Sequence, residues 1–506
     1  MINPNTPILI GHGQSVEAIA ADLQTAASHA EMAGRAAQSA LADAGVSGAA
    51  VDAVVCVRTF SDSSPAYASP FGGPDKFPRA VAARIGATPA RAVYDVIGGQ
   101  SPQTLVAEFA QNLSEGRSKM VVIAGGEALA NMRAAQRAGV SLNWSEKHAG
   151  DWEDRGLFAG PPIVSPTELG HGLLDAMSYY GFIETARRMT TGRNVKDHRA
   201  HMAELIAPLS GVAARNPYAM FPERYDADDI ATSASGNRPL TSPFLKAMVA
   251  KDRVNQGAAV VMTTVAEAQR LGVPRAKWVF LRGHAEAQEA LLLDRTELGH
   301  SLAMDLVFDG ALHAAGVAAD AVEHADIYSC FPCVVDQARD KLGRTDRPLT
   351  LTGGLSFFGG PGNNYTLHGI CEVLRACRAR PGSIGLAHGN GGWMSKQAVG
   401  IYSSEYVEGR VFADNKATAA KIAAQKSPGQ TTSPNGPARM ESYIVQHKRG
   451  EPTGALVIGA LEDGTRFYAK LHEASGQALA ALADGKRDGA KLNVTAAMPA
   501  NTARLV

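Results

Sequence analysis

Short apolar runs alternate along the chain with longer stretches of helical period. Residues 8–11 (ILIG) are the first such run and predict a strand. An Ala-rich stretch over 17–43 follows and predicts a long helix with a break near Ser28. Residues 51–57 are apolar and β-branched and predict a second strand. Strand–helix alternation of this kind predicts an α/β domain with a largely buried sheet.

A sharper unit begins at Ala92. Residues 93–97 have a buried-strand pattern, and Gly98-Gly99-Gln100 makes a tight connection. Ser101-Pro102 then predicts a helix start, with Ser as N-cap and Pro at the first helical position. Residues 120–124 form the next strand and end on Gly125-Gly126. The same outline returns later. Residues 349–351 predict a strand ending at Gly353-Gly354, a Gly/Asn-rich segment reaches Tyr365, and a helix runs on to residue 380. Residues 384–388 predict a strand ending in Gly389-Asn390-Gly391-Gly392. The repeat indicates two similar α/β halves related by duplication, or generic βαβ repetition with the same outline.

Between 131 and 242 charged and aromatic residues increase and periodicity weakens. This predicts a partly helical excursion, placed as a lid on the first half. The core resumes with a strand over 257–263, a helix over 265–271 and a strand over 278–281. Residues 425–438 are rich in Ser, Thr, Pro, Gly and Gln and read as a linker. Beyond it, apolar runs at 443–445, 455–460, 465–471 and 491–494 flank a hairpin signal at Glu462-Asp463-Gly464. The expected units are a first half (1–265), a second half (266–424), the linker, and an independent β-rich domain (439–506) of OB-like shape.

Composition narrows the function classes. Lys+Arg and Asp+Glu each number 49 in 506 residues, so no basic stripe for nucleic acid is expected. No run reaches the roughly 20 apolar residues of a membrane helix, and residues 1–7 lack a signal-peptide pattern. A cytoplasmic protein is expected. Its five cysteines are Cys56, Cys330, Cys333, Cys371 and Cys377. They have no zinc spacing beyond one C-x-x-C, so reduced thiols and no metal site are expected.

Three segments carry a family resemblance. Residues 98–103 (GGQSPQ), with the strand ending VIAGGE, resemble the nucleophile helix and following strand of thiolases. Residues 325–333 (ADIYSCFPC) resemble the His-Asp-Cys-Phe block of sterol-carrier-type thiolases. Residues 352–365 (TGGLSFFGGPGNNY) stand where thiolases carry Gly-His-Pro. The chain therefore resembles the thiolase superfamily, above all its type 1 thiolase-like proteins, which carry an extra C-terminal domain. The resemblance implies a duplicated, layered α/β/α/β/α core and acetyl-CoA acetyltransferase-like chemistry. A CoA thioester is then the substrate, no cofactor is permanently bound, and the state is monomer or homodimer.

The family's chemistry uses an acylated Cys at a helix N-terminus, a His that activates it and a second Cys that moves a proton. In this alignment the first Cys falls on Gly98 or Gly99, the Gly-His-Pro His on Gly360, and the second Cys near Ala387 or His388. Tyr328 and Ser329 replace the His-Asp of the other block, and Cys330 keeps its Cys. The candidate catalytic residues are Cys330, His388, Tyr328, Tyr365, Asn363 and Asn364. Gly98, Gly99, Gly360, Asn390, Gly391 and Gly392 are expected to approach the thioester closely. Three functions follow: acyl transfer through Cys330, His388 and Asn363 or Asn364; retro-aldol cleavage of a β-hydroxyacyl-CoA through Tyr328 and Tyr365, as in thiolase-fold aldolases; or binding of a CoA ester without catalysis.

Overall fold

The computed structural model describes residues 2–346, 348–409, 411–472 and 475–506. Two sheets form the body. The first holds β1 (Pro7–Val16), β2 (Ala53–Cys56), β3 (Arg91–Tyr94), β4 (Met120–Ala128), β5 (Glu153–Asp154) and β6 (Asn255–Thr264), in the order β1-β6-β4-β2-β3-β5. The second holds β7 (Phe280–Gln288), β8 (Val322–Asp326), β9 (Ile384–Gly391) and β10 (Lys396–Ser403), in the order β7-β10-β9-β8.

Five layers result, as the α/β expectation required. α1 (His29–Ala44) and α2 (Phe77–Arg84) cover the outer face of the first sheet. α3 (Ser101–Ser114) and α12 (Tyr365–Ala379) lie between the sheets. Their apolar faces share one buried cluster with Val55, Ile123, Val260, Leu281 and Tyr402 from the inner sheet faces. α10 (Leu302–Ala315) covers the outer face of the second sheet. The Ala-rich composition of α1 now has a reason. A Cβ on Gly13 would stand 2.3 Å from the Ala40 nitrogen, and one on Gly126 2.4 Å from the Ala33 nitrogen. Small residues on both sides let helix and sheet backbones touch.

The excursion after β4 is helical, with α4 (Leu129–Ala138), α5 (Pro166–Gly170), α6 (Ala176–Thr190), α7 (Val195–Ala213) and α8 (Ala227–Ala231). α9 (Val265–Arg270) follows β6, and α11 (Pro332–Leu342) packs on α6 and α7. Among the described residues no helix is long and apolar enough to cross a membrane.

Three local expectations are corrected. The first long helix begins only at His29. Ser28 is its N-cap and accepts the Glu31 N–H, while a separate 3₁₀ turn capped by Asp22 precedes it. Ser101 is the first helical residue of α3 rather than its cap, and its hydroxyl donates to Asp95 Oδ2. Residues 349–351 form no strand, because the Asp326 carboxylate takes the Leu351 and Thr352 N–H groups, both at 2.8 Å.

After α13 (Asn415–Ala423), the strands β11 (Asn435–Lys448), β12 (Glu451–Leu461), β13 (Arg466–Leu471), β14 (Lys491–Thr495) and β15 (Thr502–Leu505) close a barrel in the order β11-β12-β13-β15-β14. β13 and β15 are parallel, and α14 (Gly476–Ala483) links β13 to β14. The barrel shares the core of the body. Ile444, Leu456, Ile458 and Tyr468 join the buried cluster of Phe182, Phe244 and Phe331. Buried Arg188 forks onto Asp488 at 2.6 and 2.7 Å, and Arg466 donates to the Leu293 carbonyl at 3.2 Å. These contacts argue against an independent C-terminal unit. A chain ending at residue 425 is expected to aggregate, because removing the barrel uncovers Phe182 and leaves Arg188 unpaired. Size-exclusion chromatography checks this, and a soluble, monomeric truncation would show the barrel to be dispensable.

Candidate functional site

The N-termini of the two central helices meet where the halves join. α3 follows the Gly98-Gly99 turn, and α12 follows a 3₁₀ turn at Gly362–Asn364. Thr366 Oγ1 donates to the Gly99 carbonyl and ties one turn to the other. Asn363 is a stitch between the halves. Its Oδ1 accepts the Gly98 N–H at 3.1 Å, and its Nδ2 donates to the Arg58 carbonyl at 2.9 Å and to Ser63 Oγ at 3.1 Å.

Gly99 and Gly391 are required by contact. A Cβ on Gly99 would stand 2.4 Å from the Asn390 carbonyl oxygen and 2.6 Å from the Tyr328 ring. A Cβ on Gly391 would stand 2.0 Å from Gln100 Oε1. The Gln100 amide therefore fills the space between the two glycine turns, and its Oε1 has no hydrogen-bond partner among the described residues. The adjacent Asn364 is 2% exposed, and neither end of its amide has a partner there. Buried polar atoms of this kind cost stability unless something satisfies them.

Tyr328 and Tyr365 meet edge to face with ring centroids 5.3 Å apart. The Tyr365 hydroxyl donates to Thr352 Oγ1 at 2.7 Å, and Thr352 Oγ1 donates to Asp326 Oδ2 at 2.9 Å. Burial raises the Asp326 carboxyl to about 6, against four hydrogen bonds from residues 350–352 that lower it. Burial also pushes both phenols above the usual tyrosine range.

Cys330 lies behind Tyr328. Burial pushes its thiol up to about 12, with no cation among the causes to pull it back. Asn390 Nδ2 approaches its sulfur at 3.6 Å and donates to the Tyr180 hydroxyl at 2.7 Å. A polar chain then runs away from the glycine turns. Gln397 Nε2 donates to Asn390 Oδ1 at 3.0 Å, and His388 Nε2–H donates to Gln397 Oε1 at 2.8 Å. Burial lowers His388 to about 4, so its ring is neutral near pH 7.

The structure thus gathers Gly98, Gly99, Tyr328, Cys330, Asn363, Asn364, Tyr365, Asn390 and Gly391. It sets three expected residues apart. His388 reaches the cluster only through Gln397 and packs on Phe308. Gly360 lies against Lys251 and Leu355, and Gly392 against Ile163 and Ser395. Sequence reasoning missed Gln100, Asp326, Thr352, Tyr180 and Gln397. Gln100, Asp326 and Thr352 sat inside the quoted motifs. Tyr180 comes from α6 and carries no local signal.

A family model described as the thiolase-like protein type 1 additional C-terminal domain matches residues 418–497. The crystal structure of a monomeric SCP2-thiolase-like protein type 1 from Mycobacterium smegmatis shares 37% identity with this chain. It superposes at a TM-score of 0.85, with 100% of both chains covered. The chain belongs to the type 1 SCP2-thiolase-like proteins. Two more distant structures share the fold alone. An Ltp2-ChsH2(DUF35) aldolase is 18% identical with a TM-score of 0.57, and an acetyl-CoA acetyltransferase from Syntrophomonas wolfei is 14% identical with a TM-score of 0.57. Each is matched over 100% of its own length and over 80% of this chain. Comparison with curated protein sequences returns no match. In this type 1 thiolase-like protein the N-terminus of α3 presents backbone and the Gln100 amide.

Proposed function

We propose that the protein binds an acyl thioester of CoA at the meeting of the Gly98-Gly99 and Gly391 turns, without forming an acyl-enzyme. Gly98 and Gly99, the two places where the resemblance puts the family's thiol, carry this reading: neither has a side chain, and a Cβ there would stand 2.2 Å from Gln100 Oε1 or 2.4 Å from the Asn390 carbonyl oxygen. The remaining thiols do not replace it. Burial raises all five above the ordinary cysteine value, so none supplies a thiolate near pH 7. Acyl transfer through Cys330 is disfavoured on the same ground. Two helix N-termini facing one point favour a polarised carbonyl oxygen there, and the unpartnered Asn364 amide offers a further donor. Entry of the thioester displaces the Gln100 amide.

Calorimetry with acetyl-CoA and longer acyl-CoAs is expected to show binding, and intact-mass spectrometry to show no covalent acyl adduct. Absence of heat at millimolar ligand would remove the binding claim, and a stable adduct would remove the claim of no acyl-enzyme. One observation favours a second reading, aldol cleavage of a β-hydroxyacyl-CoA. Tyr365 and Tyr328 are in contact, and Tyr365 is wired through Thr352 to a carboxyl held near 6. On that reading Tyr365→Phe lowers cleavage about 100-fold, the scale of losing one acid–base group.

A further inference from the structure

The loop between β2 and α2 holds a second constellation, on the other side of Asn363 from Gly98. Ser61 Oγ lies 3.2 Å from His29 Nε2, and His29 Nδ1 lies 3.1 Å from Glu127 Oε2. The three residues are 5%, 6% and 1% exposed, so water does not loosen the arrangement. They come from three elements. His29 opens α1, Glu127 lies in β4, and Ser61 sits in the loop. Glu127 Oε1 accepts the Phe60 N–H at 2.6 Å, which orients the carboxylate, and the His29 ring packs edge-on against Trp144 at 5.6 Å. Nucleophile, base and orienting acid thus stand at hydrogen-bond reach of one another in the sequence that serine hydrolysis needs.

Two contacts compete. Ser61 Oγ also lies 3.9 Å from Met132 Sδ, a weaker acceptor than an imidazole nitrogen. His29 Nδ1 also lies 3.0 Å from the Ala128 N–H, which asks for the opposite tautomer. A carboxylate accepts from an imidazole N–H more strongly than a neutral imidazole nitrogen accepts from an amide. Nδ1 therefore carries the proton, and Nε2 is left to accept from Ser61. Ser61 also has a substrate space beside it. It borders a cleft of about 440 Å³, next to the rings of Phe77, Tyr94 and Trp152. The Ser61 N–H makes no hydrogen bond among the described residues and is free to serve a developing oxyanion.

The cleft chooses its substrate by charge. Asp62, Asp75 and Asp154 stand exposed on its walls. Its one cation, Arg58, is buried, stacked on Tyr94 at 4.2 Å and paired with Asp154. The net negative wall repels the phosphates of a CoA ester, which keeps this site separate from the one proposed above. We propose that Ser61, His29 and Glu127 form a second, serine-esterase site for a neutral or cationic carboxylic ester with an apolar group. Ser61 Oγ attacks the ester carbonyl carbon while its proton passes to His29 Nε2. The bond to the alcohol oxygen breaks, and that oxygen takes the proton from His29. Water then attacks the acyl-serine by the same proton path, releasing the carboxylic acid and restoring Ser61.

The test uses the full chain, an uncharged fluorophosphonate and p-nitrophenyl acetate. The expected result is one label per chain on the peptide that holds Ser61, with no label on Ser61→Ala and hydrolysis lowered at least 100-fold in that variant. The loss of a single hydroxyl leaves the fold testable by circular dichroism. Should Ser61→Ala nevertheless unfold, the labelled peptide of the unmodified protein decides alone. Label elsewhere, no label, or unchanged hydrolysis by folded Ser61→Ala would overturn the proposal. A structural clamp made of the same three residues would give none of the expected labelling.

Discussion

Substituting Gly99→Cys is expected to destabilise the protein rather than restore a thiolase. The cause is the Cβ, not the thiol. It would sit 2.4 Å from the Asn390 carbonyl oxygen and 2.6 Å from two atoms of the Tyr328 ring. The carbonyl belongs to β9, which is buried along its whole length and paired with β10 and β8, so it has nowhere to retreat. Forcing extra atoms into a packed interior costs about 3 kcal/mol where the neighbours are rigid. Gly99→Ala should therefore cost nearly as much as Gly99→Cys in urea unfolding. The double variant Gly99→Ala/Tyr328→Ala should not recover the loss, because the Asn390 oxygen stays in place. Gly86→Ala is the control. That glycine has a φ of +66° and nothing within 4 Å of its Cβ position, so only backbone strain of about 1 kcal/mol is expected. Equal losses at the two sites would refute the packing account of the missing nucleophile.

The layered core was legible because apolar runs alternate with stretches of helical period, and because Gly98-Gly99 follows β3 and leads into α3, a pattern visible over a few residues. What failed was governed by distant partners. Residues 17–28 read as helix from their alanines, yet Asp22 and Ser28 cap separate turns, and the Ala20 N–H is taken by Asn131 Oδ1 at 3.2 Å. Residues 349–351 read as a strand, yet the Leu351 N–H and that of the following Thr352 go to Asp326. At the site, Tyr328, Cys330, Tyr365 and Asn390 lay inside motifs and do converge. Gln100 lay inside a motif too, but the place of its amide between the turns, like the Tyr180 hydroxyl that meets Asn390, is set by tertiary packing. Ser61, His29 and Glu127 are the extreme case. Serine and histidine are 32 positions apart, histidine and glutamate 98, and nothing in their neighbours' identities links them. The composition of 425–438 reads as a linker, yet β11 begins at Asn435, and composition says nothing of the partners the segment meets. The Thr431 N–H donates to the Arg466 carbonyl at 2.9 Å, so this segment too is held to the barrel.

Acid is expected to unfold the protein through two buried histidines. Burial lowers His388 to about 4 and His368 to about 3, against an ordinary value of 6.5. Both rings are fully enclosed and neutral in the fold, while the unfolded chain protonates them near 6.5. The unfolded state then binds more protons below 6.5, so stability is fully present above that value and falls as pH drops toward the folded values. The losses amount to about 3 kcal/mol for His388 and about 5 kcal/mol for His368. Asp326 opposes them. Its folded value of about 6 lies above the ordinary 3.8, so it adds stability at low pH that is lost as pH rises through 6. That term is about 3 kcal/mol and offsets roughly one histidine. Together these three groups leave a loss of about 5 kcal/mol between pH 7 and pH 3, a large part of the 5–15 kcal/mol that holds a typical domain. Conservative variants isolate the cause. His388→Gln keeps a donor for Gln397 Oε1, and His368→Asn keeps one for Gln14 Oε1, which His368 Nδ1 now meets at 2.7 Å. Urea midpoints measured from pH 7 to pH 4 should fall steeply for the natural sequence and much less for the double variant. Parallel curves would mean that protonation of other groups drives the loss, and that these two rings are not the acid switch of the fold.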